Sequence, residues 1–127
     1  MIGRLEEALG PGRVVTDPDV VRSHEVDATG RFTGTALAVV RPRTAAEVST
    51  IVGLCRETGT ALVPQGGNTG LVGGGVPRGG ELVLSTSHLG PQDLAVDGDA
   101  GHVTAGAGAT LAAVQQAAAA AGWRYPV

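Results

Sequence analysis

The sequence predicts an α+β fold. Its first part is built like an α/β unit, a small parallel sheet flanked by helices, and the start of an antiparallel second part follows. Three observations carry that expectation. A buried-strand pattern at residues 36–42 leads into a capped amphipathic helix and then a second apolar run, the order that builds parallel strands. A glycine-rich stretch, 64-PQGGNTGLVGGGVPRGG-80, follows that run directly. Further on, two alternating runs flank Asp97-Gly98-Asp99-Ala100-Gly101, the pattern of a hairpin.

The elements follow in order. Residues 2–9 read as a short helix with Ile2, Leu5 and Leu9 on one side. Asp17-Pro18 opens a second helical stretch, with Val20 and Val21 behind it. Residues 25–34 are polar and punctuated by glycine, a loop. The run 36-ALAVVRP-42 is continuously apolar and closed by Pro42, as expected of a strand buried on both faces. Thr44 and Glu47 form a capping box, Val48, Ile51, Val52 and Cys55 recur on one face, and Gly59 is the C-terminal stop. Strands are then expected at 61-ALVP-64 and 81-ELVLS-85. After the hairpin, Thr110 caps an alanine-rich helix that presents Leu111, Val114, Ala118 and Ala121 and ends at Gly122. Residues 123–127 add no covering element to a parallel sheet that needs both faces covered, so the chain reads as the truncated front part of a larger protein.

Composition narrows the chemistry. At 127 residues, the chain can bury roughly two-thirds of its unfolded surface, in a core that must be aliphatic because Phe, Tyr and Trp occur once each. That scarcity argues against stacking platforms for nucleic acid, and a net charge of −3 gives no basic footprint. The nine basic residues are all Arg, which removes Schiff-base chemistry and the P-loop lysine. A single Cys55 forms no intrachain disulfide and no cysteine-based zinc site. The first ten residues lack the apolar core of a secretory leader, and no run is long enough to span a membrane, so a cytoplasmic setting is expected.

The glycine stretch admits two readings, a flexible linker or a loop that brings backbone close to a ligand. It begins at the carboxyl end of an expected parallel strand, where α/β sheets bind ligands. Glycine lets successive amides converge on an anion with no Cβ in the way. The G-x-G-x-x-G fingerprint is absent, and Gly70-x-x-x-x-Gly75 is followed by Val76-Pro77 where a P-loop needs Lys and Ser or Thr. A backbone-only phosphate cradle is the stronger reading, with Gln65, Asn68 and Thr69 able to hold its turns.

The block 61-ALVPQGGNTGLVGGGVP-77 resembles the pyrophosphate loop of the PCMH-type FAD-binding domain of the vanillyl-alcohol-oxidase superfamily. "PQGGNTG" followed by "GG" is similar to its D-2-hydroxyacid dehydrogenase branch, which includes D-2-hydroxyglutarate dehydrogenases. Residues 36–52, 82–89 and 103–126 resemble the flanking strands and helices, so the likeness covers about residues 25–127. It implies a division into a helical segment and loop, 1–34, and an incomplete FAD-binding domain, 35–127. It further implies that Gln65, Gly66, Gly67, Asn68, Thr69 and Gly70 wrap the FAD pyrophosphate, with Gly73 and Gly74 beside it.

Three positions depart from that branch: Gly75 replaces a common Ser, His88 replaces a common Arg, and Asn68 stands where some oxidases carry a flavin-linked histidine. Non-covalent FAD is therefore expected. The resemblance implies that the whole protein oxidises a D-2-hydroxyacid of the 2-hydroxyglutarate, lactate or glycolate type to the 2-oxoacid and passes electrons to a separate acceptor, and a homodimer is compatible with this. A stand-alone FAD- or nucleotide-binding module, or a partner subunit, is the other reading.

No residue of the chain stands out as catalytic. His24, His88 and His102 lack metal-ligand spacing and read as surface or loop histidines. Asp97 and Asp99 read as turn residues, Cys55 as a small core residue, and Trp123 and Tyr125 as closing the core, with packing on the flavin side as the other reading.

Overall fold

The computed structural model describes residues 1–127. Helix α1 (Ile2–Leu9) leads to a two-residue strand β1 (Val14–Val15) and a short helix α2 (Pro18–Arg22). Then come β2 (Ala36–Val40), α3 (Ala45–Thr58), β3 (Leu62–Gln65) and β4 (Glu81–Ser85). The hairpin β5 (Leu94–Asp97) and β6 (His102–Ala105) and the helix α4 (Leu111–Ala120) complete the chain. The sheet order is β1-β2-β4-β3, with β2 and β3 both parallel to the central β4 and β1 antiparallel at the edge. The expected mixed architecture, parallel first and antiparallel after, is the one observed.

The apolar runs divide by alternation. Ala38 and Val40 of β2 and Leu82 and Leu84 of β4 face α1 and α3, where Leu5, Leu9, Ile51, Leu54 and Cys55 complete the main core. Val39 and Val83 point to the other face and pack with Val21 of α2. Each fully buried branched side chain contributes about 1.5–3 kcal/mol. The central strands are thus covered on both sides, as a continuous apolar run requires. Residues 2–15 are part of this core, through α1 and through the pairing of β1 with β2.

Helix α3 begins and ends as the sequence predicts. The Thr44 hydroxyl accepts from the Glu47 amide while Glu47 accepts from the Thr44 amide, and Gly59 takes the left-handed conformation at φ 67°. Glu47 also accepts from the Arg43 amide and pairs with Arg13, which donates from Nε to the Arg41 carbonyl and so ties the β1 side of the sheet to the start of α3. The Arg43 amide first, and then Arg13, hold the Glu47 carboxyl below its usual range. Helix α4 closes in a Schellman motif, the Gly122 amide donating to the Ala119 carbonyl and the Trp123 amide to the Ala118 carbonyl.

Three expectations are corrected, and one strand was unforeseen. Val52 is 48% exposed and Leu54 is buried in its place, because the inward face of α3 centres on Ile51 and the next residue lies about 100° around the helix. Strand β1 was not expected, since two valines acquire strand character only through pairing with Val39 and Val40. On α4, only Ala118 is buried while Leu111 and Ala121 are exposed, because the two-stranded hairpin beside the helix is too narrow to cover a full face. Trp123 and Tyr125 are 49% and 41% exposed, not core. The Trp123 ring lies over the hairpin turn at Gly101.

Candidate functional site

The glycine stretch leaves the carboxyl end of β3 and returns to the sheet at β4. Its two ends are fixed by contacts that only glycine or a buried side chain permits. At the far end, Gly34 lies so near the Pro77 carbonyl oxygen that a Cβ there would be 1.8 Å away. At the near end, Gln65 is 3% exposed, and its side-chain amide donates to the carbonyls of His24 and Gly75 at 2.9 and 2.8 Å. The ring Nδ1 of His24 bonds the Gln65 Oε1, so this histidine has a structural task beyond that of an ordinary loop residue.

Between those ends the chain wraps around a cavity of about 290 Å³ with no hydrophobic lining residue. Gln65, Gly66, Gly67, Asn68, Thr69, Gly70, Gly73 and Gly74 all line it, so the eight residues singled out in the sequence come together around one space. Pro64, Gly75 and Asp27 line it too. Asp27 was not foreseen. It comes from the polar loop before β2, where nothing in a single sequence separates a buried aspartate from a solvated one except the Asp-x-Thr turn pattern. Its carboxylate accepts from the Thr29 hydroxyl and the Phe32 amide, and those bonds, the Thr29 hydroxyl foremost, hold its pKa below the ordinary 3.8.

The loop's chemistry lies in its backbone. No amide from Gly66 to Gly75 donates to another backbone group, although each is a strong donor that a protein ordinarily pairs. No Arg lines the cavity, so an anion held there depends on these amides. A Cβ added at Gly70 or Gly74 would meet nothing within 4 Å, and at Gly66 or Gly67 only a threonine side-chain atom at 3.8 or 3.9 Å. The fold itself therefore does not require glycine at these four positions, in contrast to Gly34, Gly106 and Gly108, where a Cβ would run into backbone. A close-approaching ligand does require it. Asn68 adopts φ 54°, and its side-chain amide donates to the Val26 carbonyl at 2.7 Å. Leu71 and Val72 at the tip are 71% and 84% exposed.

Comparison with known families matches residues 36–127 to the model described as FAD binding domain. The chain belongs to the FAD-binding domain family. It is 46% identical over 104 residues to the mitochondrial D-2-hydroxyglutarate dehydrogenase of Danio rerio, covering 82% of this chain and 19% of the relative. It is 40% identical over 125 residues to the D-2-hydroxyglutarate dehydrogenase of Xanthomonas citri pv. viticola, covering 97% of this chain and 26% of that protein. The chain thus spans about a fifth to a quarter of the length of these relatives. Among solved structures, a Bermuda grass pollen isoallergen superposes with a TM-score of 0.74 at 18% identity, over 95% of this chain and 27% of the other. The xylooligosaccharide oxidase of Myceliophthora thermophila superposes with a TM-score of 0.66 at 19% identity, over 89% and 24%. These likenesses show the fold.

The residues on the cavity suit the cofactor that the FAD-binding domain is named for: unpartnered amides in series, four glycines free of packing duties, and a polar lining whose one carboxylate, Asp27, has its oxygens engaged by the Thr29 hydroxyl and the Phe32 amide. Outside the loop, Asp97 accepts from the amides of Asp99 and Ala100 and closes the hairpin turn, as expected. Cys55 is buried in the core, and burial raises its thiol pKa. No group of His, Cys, Asp and Glu could hold a metal, and no helix is long and apolar enough to cross a membrane.

Proposed function

We propose that this chain is the cofactor-holding part of an FAD-linked enzyme that oxidises a D-2-hydroxyacid to the 2-oxoacid. The observation that carries the proposal is that residues 66–70 and 73–75, whose backbone amides have no backbone acceptor, line one polar cavity. In this reading the amides of Gly66, Gly67, Asn68, Thr69 and Gly70 bind the FAD pyrophosphate, and Gly73 and Gly74 line its other side. Gln65 acts by holding the loop in shape. The cavity, about 290 Å³, suits the diphosphate and adjoining sugar rather than a whole dinucleotide. When bound, FAD supplies the two-electron acceptor for oxidation of the hydroxyl-bearing carbon.

The substrate class rests on the likeness to D-2-hydroxyglutarate dehydrogenases. No catalytic role is assigned to any residue of this chain. The cofactor is non-covalent in this account, because the residues lining the loop offer Asn68 and no histidine, cysteine or tyrosine for a flavin bond. A separate acceptor reoxidises the flavin.

The test is anaerobic reduction of the complete protein. Addition of D-2-hydroxyglutarate, D-lactate or glycolate should bleach the visible flavin band, and the L-enantiomers of the chiral acids should leave it unchanged. Flavin that binds but is reduced by none of the three acids would instead favour a cofactor-binding subunit without catalysis of its own.

A further inference from the structure

The segment before β2 reaches the glycine loop at three places, although it lies outside the 36–127 match. His24 and Gln65 exchange two hydrogen bonds, ring Nδ1 to Oε1 and Nε2 to the His24 carbonyl. Asn68 donates to the Val26 carbonyl. The Phe32 ring sits against Gly73 so closely that a Cβ would stand 2.5 Å from the ring Cγ. These contacts fall near the start, the middle and the end of the loop.

The segment is itself closed into a small antiparallel turn. Val26 bridges Thr33, the Asp27 amide donates to the Phe32 carbonyl at 3.1 Å, and the Phe32 amide donates back to the Asp27 carboxylate at 3.1 Å. The Thr29 hydroxyl bonds the second carboxylate oxygen, and the Gly34 amide donates to the Glu25 carbonyl. The Phe32 ring is therefore carried on a braced turn.

Apart from the bonds of the Gln65 side chain to the Gly75 carbonyl and of the Val76 amide to the Gly73 carbonyl, a loop whose amides make no internal ladder has little of its own to fix its shape. Without outside support it must lose conformational freedom when a ligand arrives, and that loss weakens binding. We propose that residues 24–34 are a clasp that holds the glycine loop in its binding shape, with His24 and Phe32 as positioning residues for FAD. The inference rests on the reading that the loop holds FAD. It adds that cofactor affinity is set in part by a segment that precedes the matched domain.

The experiment uses the complete protein stripped of flavin. FAD affinity is measured by flavin fluorescence during titration, and loop order by NMR backbone order parameters of the apo form. Phe32→Ala and His24→Ala should each weaken FAD binding about tenfold, the scale of one lost contact or hydrogen bond. Each should lower the order parameters of residues 66–75 while leaving those of β2 and β4 unchanged. Phe32→Leu and His24→Asn, which keep an apolar contact and a donor respectively, should recover most of the affinity. Wild-type protein that fails to take up FAD would overturn the functional reading on which the clasp rests. FAD uptake by the wild type, with unchanged affinity and unchanged loop order parameters in both alanine variants, would overturn the clasp alone. Order parameters lowered equally over β2 and β4 would also overturn it, since the residues would then support the fold at large.

Discussion

Gly70→Val separates a glycine kept for a ligand from one kept for the fold. Gly70 lines the cavity, has no positive φ, and a Cβ there meets nothing within 4 Å. The isolated protein should accept valine with little strain, and its apo melting temperature should stay within about 2 °C of wild type. Cofactor binding should suffer far more. An amide–oxygen hydrogen bond needs about 2.7–3.2 Å between heavy atoms, whereas carbon–carbon contact already stands at about 3.5–4.0 Å. A branched side chain beside the amides thus holds a phosphate oxygen out of reach. If two hydrogen bonds to the charged diphosphate are lost at about 1.5–3 kcal/mol each, FAD binds on the order of 10²- to 10⁴-fold more weakly. The assay pairs fluorescence titration of the apo-protein with thermal melting by circular dichroism. Wild-type affinity in Gly70→Val would refute the close-approach argument. So would a large loss of apo stability, which would show the glycine serving the fold.

Other consequences follow from the same geometry. Gly34→Ala is the contrasting case: its Cβ would lie 1.8 Å from the Pro77 carbonyl oxygen, so melting should fall by about 10 °C or more, and an unchanged melting temperature would contradict the packing described. Gln65→Ala leaves the carbonyls of His24 and Gly75 without their donor inside the protein, and urea denaturation should show a loss of about 2–4 kcal/mol. A loss below about 0.5 kcal/mol would sink that account. Asp27, Glu47 and Glu81 all titrate below their ordinary values of 3.8, 4.5 and 4.5, held down chiefly by the Thr29 hydroxyl, the Arg43 amide and the Gly79 amide respectively. Their folded pKa values lie below the unfolded ones, so the stability they contribute is complete above about pH 4.5 and is lost as pH falls through the depressed values. Melting temperature should hold level from pH 7 to 5 and drop below 4.5, less steeply in Glu47→Gln; a profile flat to pH 3 would contradict this.

What the sequence could reveal depended on how local the determining physics is. The limits of α3 were legible because Thr44, Glu47 and Gly59 act within one helical turn of themselves. The strands β2 and β4 were legible because burial on both faces leaves an unbroken apolar run. Val52 misled because periodicity gives the width of a face and not its centre, which the sheet decides by receiving Ile51 and Leu54. The valines of β1 carry no strand signal until β2 lies beside them. At the site, the glycines announced themselves by density and by position after a strand. Asp27, His24 and Phe32 did not, because their tasks are defined by contacts 41 or more positions along the chain, or by a turn that only the fold buries. Gln65 and Asn68 were expected to hold turns, and their side chains do so by reaching back to residues 24–26.

The central claim is that the backbone of residues 66–74 is the pyrophosphate seat of FAD. A crystal structure of the complete, flavin-loaded protein tests it most directly. The account predicts diphosphate oxygens within about 3.2 Å of several amide nitrogens between Gly66 and Gly74, with no covalent density joining the protein to the flavin. Diphosphate bound elsewhere, with those amides facing only solvent, would contradict it.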